Sequence, residues 1–269
     1  MAEAMAAAIE LRGVAKEFAA RGRHVVAVES IDLAVAHNEF AAILGPSGCG
    51  KSTLLNLVAG FEQPTRGQVC VAGEAVQGPD PGRAVVFQEA ALFPWYTVLD
   101  NIAFGPRTRG TPPAQYRRGI DTLLDIMGLR GFERHYPAEL SGGMKQRVGL
   151  ARVLIMEPEV LLMDEPFGSL DAQTRSVMQE LLLTVWERRQ QTVLFITHDI
   201  EEALLLADTV SVMTARPGRI KTRIAVDLPR PRSLEVTTSE HFNDLKRRLL
   251  ALVREETPNP GADHAPRAR

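Results

Sequence analysis

Residues 39–60 read EFAAILGPSGCGKSTLLNLVAG, and this stretch decides the fold. Its first part, EFAAIL, is short and largely apolar, which is typical of a buried strand. Glycines follow, and an apolar run that ends at Gly60 indicates a helix. The glycine-rich part fits the pattern GxxxxGK[ST], which predicts a loop that holds phosphate groups between a strand and a helix.

The residue types of this loop suit a triphosphate. Glycines at positions 45, 48 and 50 allow main-chain N–H groups to turn inward, and the helix N-terminus adds partial positive charge. Lys51 supplies a full charge, and Ser52 offers a hydroxyl to Mg²⁺. The alternative, a glycine-rich turn with an incidental lysine, is disfavoured by the flanking strand and helix. The residues predicted to bind the triphosphate here are Gly45, Pro46, Ser47, Gly48, Cys49, Gly50, Lys51, Ser52 and Thr53.

Two acids end a second apolar stretch, VLLMDE. Asp164 and Glu165 would lie at the carboxyl edge of a parallel strand, which faces the ligand crevice of such sheets. Burying two adjacent charges without a purpose is costly. We therefore expect Asp164 to hold Mg²⁺ and Glu165 to activate the attacking water. A pair of solvated acids is the alternative, and the upstream phosphate loop disfavours it.

Polar residues end two further apolar strands, TVLFITH and AVVFQ. His198 alone would more often be structural or merely exposed, but its strand end places it near the γ-phosphate. Gln88 has the same geometry, and it would either ligate Mg²⁺ or cap a loop. The predicted catalytic residues are Glu165, His198 and Gln88, and the predicted metal ligands are Ser52, Gln88 and Asp164.

Strand and helix patterns alternate along the chain, which predicts an α/β fold with a mostly parallel sheet. The predicted buried strands are residues 39–44, 84–87, 160–163 and 192–197. Shorter alternating stretches predict an N-terminal antiparallel β layer, at residues 9–11, 25–28, 31–35 and 68–71. A mostly helical subdomain is expected at residues 94–150, an amphipathic helix at 239–256, and a disordered tail at 257–269.

Composition excludes several classes of protein. The 269 residues carry a formal net charge of −2, so no overall field attracts nucleic acid. Two cysteines make no disulfide framework, and Cys49 is interpreted as a small residue in a permissive loop position. No apolar run approaches the length of a membrane span. The opening MAEAMAAAIELRG lacks a basic leader and is not interpreted as a signal peptide.

The segment LSGGMKQR, residues 140–147, resembles the LSGGQ sequence of ATP-binding cassette (ABC) proteins. Ser141 would cap the following helix, and the glycines would let an anion approach its N-terminus. The resemblance covers about residues 9–228 and implies a P-loop NTPase fold and an ATPase that uses ATP and Mg²⁺. It also implies a head-to-tail dimer, in which Ser141, Gly142 and Gly143 of one copy close the nucleotide site of the other.

Other positions match the family motifs. The resemblance makes Gln88 the glutamine that senses Mg²⁺ and meets the membrane partner, and His198 the histidine at the γ-phosphate. Residues 169–171 would cross the dimer interface. Phe18 takes the place of the aromatic residue that stacks on adenine, where the family often has Tyr. Met144 replaces the family's Gln, a mild departure.

Longer stretches are similar to the nitrate, sulfonate and taurine importer branch: FQEAALFPWYTVLDNIAFG, DEPFGSLDAQTR, THDIEEALLLAD and ARPGRI. This resemblance implies a peripheral subunit on the cytoplasmic face of the membrane, with permease subunits and a periplasmic or lipid-anchored solute-binding protein. Phe93, Pro94 and Trp95 would line the permease groove, although a local core is an equal alternative for Trp95. Another importer branch, or a cassette of DNA repair or translation, is the alternative function.

Overall fold

The structure is a computed structural model that describes residues 7–20 and 23–256. The first residues and the tail predicted at 257–269 lie outside the described residues. The strands are β1 (Ile9–Ala20), β2 (Arg23–Val35), β3 (Phe40–Leu44), β4 (Arg66–Val71), β5 (Glu74–Ala75), β6 (Arg83–Val86), β7 (Val160–Asp164), β8 (Thr192–Thr197), β9 (Thr209–Met213) and β10 (Ile220–Ala225). The helices are α1 (Lys51–Ala59), α2 (Val98–Thr108), α3 (Pro113–Ile126), α4 (Gly142–Leu154), α5 (Ala172–Arg189), α6 (Ile200–Leu206) and α7 (Glu240–Arg254).

A six-stranded sheet in the order β10-β9-β3-β8-β7-β6 forms the centre of the molecule. Neighbours from β9 to β6 are parallel, and β10 joins the edge antiparallel to β9. The predicted mostly parallel α/β fold is therefore confirmed, and all four predicted strands are present. β6 is less buried than predicted, because Val86 is buried but its other three residues are partly exposed. Four ends differ by one residue: β3 begins after Glu39, β6 runs from Arg83 to Val86, and β7 extends to Asp164. Phe87, just beyond β6, has an exposed ring that stacks on Phe61.

The sheet separates two hydrophobic cores. Side chains of a strand point alternately to its two faces, and β3 shows this directly. Phe40 and Leu44 face a core shared with helices α2 to α7, while Ala41 and Ile43 face one shared with α1 and the N-terminal strands. Strands β7 and β8 alternate in the same way. Burial on both faces explains why these strands are almost wholly apolar.

The N-terminal layer is an antiparallel sheet in the order β2-β1-β4-β5, as predicted. Its strands are longer than expected, and the separate strands predicted at 25–28 and 31–35 are wrong because β2 runs through both. Ser30 has a left-handed φ of 49° at this point. The pairing with β1 shifts register nearby, so the polar pair Glu29-Ser30 is accommodated within one irregular strand.

Helices fill the region between β6 and β7. Helices α2, α3 and α4 lie there, with a short 3-10 turn at Pro137–Glu139. The predicted C-terminal helix is α7, which Ser239 caps by accepting a hydrogen bond from Phe242 N at 3.2 Å. Phe242 and Leu249 are fully buried in the core above the sheet. In the described part of the chain, every helix is too short or too polar to cross a bilayer.

Candidate functional site

The phosphate loop joins β3 to α1 and has the backbone that its glycines allow. Gly48 and Gly50 have φ values of 75° and 107°, a region that side chains rarely adopt. A Cβ on Gly50 would lie 2.7 Å from the Ala27 carbonyl oxygen, so close packing also requires glycine there. The loop therefore opens directly onto the N-terminus of α1, which favours anions.

Lys51 lies within the loop, and it is only 5% exposed. Its Nζ donates hydrogen bonds to the carbonyl oxygens of Gly45 at 2.9 Å and Pro46 at 3.2 Å. The same nitrogen lies 3.7 Å from Glu165 Oε1. A buried ammonium with only these neighbours is well suited to a multiply charged anion in the loop.

Ser52 and Asp164 meet across the mouth of the loop. Ser52 Oγ donates to Asp164 Oδ1 at 3.2 Å. Burial raises the pKa of Asp164, the adjacent Glu165 charge adds to this, and the bond from Ser52 opposes it. A nearby cation would stabilise the charged carboxylate that burial disfavours.

The pair Ser52 and Asp164 fits Mg²⁺. Hydroxyl and carboxylate oxygens are ligands that this ion prefers, and it is usually bound through one or two protein oxygens with phosphates and water. Among the described residues no group of three or more His, Cys, Asp or Glu forms a metal cage. The ligand types of this pair therefore suit an ion that phosphate and water oxygens also bind.

Glu165 lies between a lysine and a histidine. Its backbone is left-handed, with φ at 44°, and its N–H donates to Ile196 O at 2.9 Å. The carboxylate thereby reaches Lys51 on one side and His198 Nδ1, 2.9 Å from Oε2, on the other. The structure thus brings together five predicted site residues, which we call the catalytic cluster: Lys51, Ser52, Asp164, Glu165 and His198.

A buried carboxyl group supports the turn that carries His198. Thr197 Oγ1 donates to Glu202 Oε2 at 2.5 Å and accepts from Asp199 N at 2.9 Å. Gln179 Nε2 of α5 donates to the other oxygen of Glu202 at 3.1 Å. Burial raises the pKa of Glu202. Sequence reasoning missed this residue, and its only signal was an acid on the apolar face of IEEALLLAD.

Gln88 lies outside the catalytic cluster. A Cβ on Gly168 would be 3.1 Å from its side-chain Nε2, so its amide lies beside the turn after Glu165. Its main-chain carbonyl accepts a hydrogen bond of 2.6 Å from Gln146 Nε2, which also donates to Pro166 O at 2.7 Å. The metal role of Gln88 stays a prediction. Gln146 is a connecting residue that sequence reasoning overlooked, although LSGGMKQR contains it.

Residues 141–143, which we call the signature segment, begin α4. Ser141 Oγ accepts from Met144 N at 3.3 Å, so the predicted cap is confirmed. Ser141 and Gly142 are exposed, whereas Gly143 is buried. A Cβ on Gly143 would lie 2.4 Å from Thr174 Cγ2, so any side chain there would collide with α5. Contact with a nucleotide stays a prediction.

Two further predicted residues lie apart from the catalytic cluster. Phe18 is half-buried on β1, and Lys16 Nζ lies 4.9 Å from the centroid of its ring. Its stacking on adenine stays a prediction. In the segment 169–171, Leu170 is buried and Asp171 caps α5 by accepting from Thr174 N at 3.0 Å.

A groove of about 490 Å³ runs between the segment after β6 and α4. Its lining includes Gln88, Pro94 and Lys145. Trp95 is 66% exposed beside it, so the local-core alternative for Trp95 is wrong. Phe93 packs on Phe104 with ring centroids 4.5 Å apart.

Asn101 holds the turn that carries these aromatic side chains. It is fully buried and accepts from Phe93 N at 3.0 Å. Its amide nitrogen donates to the carbonyl oxygens of Phe93, Tyr96 and Thr97 at 3.2, 3.0 and 3.0 Å. The turn is therefore rigid, and Trp95 projects from a fixed base.

Comparison with known proteins decides the family. A family model described as ABC transporter matches residues 28–168, over half of the chain. The chain belongs to the ABC transporter family. The chain is an ATP-binding cassette, the ATPase domain of that family, as the resemblance of LSGGMKQR implied.

Curated relatives match the cassette over most of its length. An uncharacterized ABC transporter ATP-binding protein of Methanocaldococcus jannaschii, MJ0412, is 45% identical over 92% of both chains. The taurine import ATP-binding protein TauB of Roseobacter denitrificans is 51% identical over 74% of both. The aliphatic sulfonates import ATP-binding protein SsuB of Bacillus cereus is 42% identical over 90% of this chain and 94% of its own.

Solved structures show the same fold. The bacterial ABC transporter cassette MJ0796, solved as a dimer, aligns with a TM-score of 0.72 at 29% identity, covering 82% of this chain and all of its own. A dimeric post-hydrolysis state of that cassette, bound to ADP and Pi, aligns with a TM-score of 0.71. The predicted P-loop NTPase cassette is therefore confirmed.

Proposed function

We propose that this chain is the ATP-hydrolysing subunit of an ABC importer for taurine, another sulfonate, nitrate or a similar small solute. The catalytic cluster carries the proposal, because it places a lysine, a hydroxyl and two carboxylates around the mouth of one phosphate loop. The TauB and SsuB relatives, named for taurine and aliphatic sulfonates import, support the importer branch and the class of solute.

Each residue of the catalytic cluster has a task in hydrolysis. Lys51 and the main-chain N–H groups of the loop bind the β- and γ-phosphates. Ser52 and Asp164 would hold Mg²⁺, with Gln88 as a further predicted ligand, and the ion would neutralise charge on the phosphates. Glu165 accepts a proton from the attacking water. His198, hydrogen-bonded to Glu165, orients that carboxylate and contacts the γ-phosphate.

A second copy completes the site. The signature segment offers a helix N-terminus with two exposed residues, a feature that suits an anion. We place it on the γ-phosphate held by the phosphate loop of a partner in a head-to-tail dimer. The dimeric structures of the cassette MJ0796 support this arrangement. ATP then favours the closed dimer, and hydrolysis favours reopening.

The permease docks at the groove beside the exposed Trp95. An aromatic side chain on a rigid turn next to a cleft is the kind of anchor that a partner helix uses. The cassette works at the cytoplasmic face of the membrane, where it energises permease subunits that a periplasmic or lipid-anchored solute-binding protein supplies.

Reconstitution tests this function. The cassette is purified together with the permease and the solute-binding protein that it binds, the complex is placed in lipid vesicles, and ATP hydrolysis is measured with and without taurine, an alkanesulfonate or nitrate. We expect one solute class to stimulate hydrolysis and to accumulate in the vesicles. Hydrolysis without transport of any of them would overturn the solute class, and absent hydrolysis would overturn the ATPase itself.

A further inference from the structure

The loop between β9 and β10, residues 214–219, packs directly against the phosphate loop. A Cβ on Gly218 would lie 2.1 Å from the Cys49 carbonyl oxygen, so only glycine fits this contact. Gly218 N donates to Ala27 O at 3.0 Å, and Gly218 O accepts from Glu29 N at 2.9 Å. The loop is thereby fixed between β2 and the phosphate loop.

Arg216 extends from this loop onto the phosphate loop itself. Its Nε and Nη2 both donate to the carbonyl oxygen of Gly48, at 3.1 and 2.9 Å. Gly48 is the residue whose left-handed φ of 75° turns the phosphate loop. Two donors from one planar guanidinium hold that carbonyl in a fixed direction.

The direction of this carbonyl decides the direction of the next N–H group. In a trans peptide the C=O and the following N–H point to opposite sides of the chain. Because Arg216 holds the Gly48 oxygen, the Cys49 N–H points the other way and reaches toward Pro46 O at 3.4 Å. That distance is long for a hydrogen bond, so the bond to Pro46 O is weak and a phosphate oxygen in the loop would compete for this N–H.

We propose that Arg216 is a positioning residue for ATP binding, which orients the Gly48–Cys49 peptide so that the phosphate loop is ready for the nucleotide. The inference rests on the proposed ATPase function and adds to it a residue outside the phosphate loop. Arg216 is exposed, so its charge is partly screened by water, and its direct effect is on the geometry of the loop.

Two acidic residues just after the C-terminal helix fix the loop that carries Arg216. Ala215 N donates to Glu256 Oε2 at 3.1 Å, beyond the end of α7. Lys221 at the start of β10 binds Glu255 and Glu256 at 2.7 and 2.6 Å. Arg216 is therefore presented to the phosphate loop from a segment anchored at both ends.

The test compares Arg216→Ala and Arg216→Lys with wild type in the full chain, using calorimetric titration with Mg·ATP and steady-state hydrolysis. Losing both hydrogen bonds should weaken ATP binding and raise KM about tenfold. The value of kcat should change less than about twofold, because Glu165 and His198 are untouched. The Arg216→Lys variant keeps one donor nitrogen, so its ATP affinity should lie between those of Arg216→Ala and wild type.

Arg219→Ala is the matched control, because Arg219 lies on the same loop but binds Glu29 at 2.8 Å and not the phosphate loop. ATP affinity in this variant should stay within about twofold of wild type. Equal affinity losses at Arg216 and Arg219, or an unchanged affinity in Arg216→Ala, would overturn the proposal. If Arg216→Ala does not fold, Arg216→Lys decides by the same comparison. Wild-type protein that binds no ATP would instead overturn the proposed function.

Discussion

The catalytic cluster and the signature segment differ in how far one chain completes them. Lys51, Ser52, Asp164, Glu165 and His198 come from α1 and the ends of β7 and β8, and contacts of 3.7 Å or less join them. The signature segment also begins a helix, but Ser141 and Gly142 are exposed, and the Ser141 hydroxyl caps its own helix by accepting from Met144 N at 3.3 Å.

The contrast indicates a site divided between two molecules. A buried lysine and adjacent acids are costly unless they serve a ligand, and the catalytic cluster gathers them around a single loop. The signature segment offers only weak, diffuse charge from a helix N-terminus. Such a surface can bind an anion that a second molecule already holds and brings to it. Four experiments test this difference between the two regions.

Glu165→Gln should produce the largest effect. The amide keeps the shape of the side chain but cannot accept a proton, so ATP hydrolysis should fall about a thousandfold. ATP binding should persist, and a closed ATP dimer should accumulate. Phosphate release and gel filtration with ATP measure both. Glu180→Gln, an exposed change on α5, serves as the control, and near-normal hydrolysis in Glu165→Gln would remove Glu165 from its assigned role.

Ser141→Asp tests the other region. Asp is as good a helix cap as Ser, so the fold should be preserved, but its charge would repel a γ-phosphate. We expect hydrolysis and ATP-driven dimerisation to fall about a hundredfold, while the ATP affinity of the single chain stays unchanged.

Ser239→Asp is the matched control for this change. Ser239 caps α7 with the same geometry, accepting from Phe242 N at 3.2 Å, and it does not belong to either region. The Ser239→Asp change should leave both ATP hydrolysis and ATP-driven dimerisation unchanged. A Ser141→Asp enzyme with normal hydrolysis would mean that the signature segment is only a capped helix start.

Gln146→Leu removes contacts between α4, the helix that begins at the signature segment, and the chain segments that follow β6 and Glu165. Gln146 is 5% exposed, and its Nε2 bridges the carbonyl oxygens of Gln88 and Pro166. Leucine fills similar space but leaves both oxygens without this donor, which should lower the free energy of unfolding by about 2 kcal/mol. Urea denaturation measures it, with Lys145→Leu as the neighbouring control. Equal stability in the two variants would argue against a structural connection.

Glu202→Gln should have the smallest effect, visible as a change in pH dependence. Burial raises the pKa of Glu202 in the native state above its ordinary value of 4.5, so the native state binds this proton more tightly than the unfolded chain. Wild type should therefore lose stability as pH rises from about 4.5 through that folded pKa. The Glu202→Gln variant does not lose stability in this way. Its stability should therefore rise relative to that of wild type over the same pH interval.

Urea denaturation between pH 5 and 8 measures the difference, and Glu201→Gln, at the exposed neighbouring position, is the control. We expect a smaller change than in Gln146→Leu. A difference between wild type and Glu202→Gln that does not vary with pH would mean that Glu202 does not change its protonation state between pH 5 and 8, contrary to this prediction.

Sequence predicted the parallel sheet and the catalytic cluster for the same reason. Apolar strands buried on both faces are recognisable in sequence, and their carboxyl ends meet at one edge of the sheet. Asp164, Glu165 and His198 could therefore be placed near Lys51 before any contact was known. The phosphate loop needed only its glycines and its flanking strand and helix.

The residues that sequence reasoning missed act across long separations in the chain. Arg216 meets Gly48 across 168 positions, and Gln146 meets Gln88 across 58. Neither contact leaves a local pattern, because it depends on where separate loops approach. For the same reason, the sequence does not show that β2 is one continuous strand. The irregular pairing at Ser30 depends on β1, and the local sequence there looks like a strand break.

Arg232 has a practical consequence for anyone who shortens this chain. Its side chain is 1% exposed, and its guanidinium donates to carbonyl oxygens at the end of α6 and around Leu228, including Ala207 O at 2.7 Å. Burial lowers its pKa to about 10. A truncation after Leu228 would remove Arg232 and leave those carbonyl oxygens without its hydrogen bonds. It would also expose the part of the hydrophobic core that Phe242 covers. Purification tags and fluorescent fusions therefore belong beyond Glu256, where they leave this anchor intact.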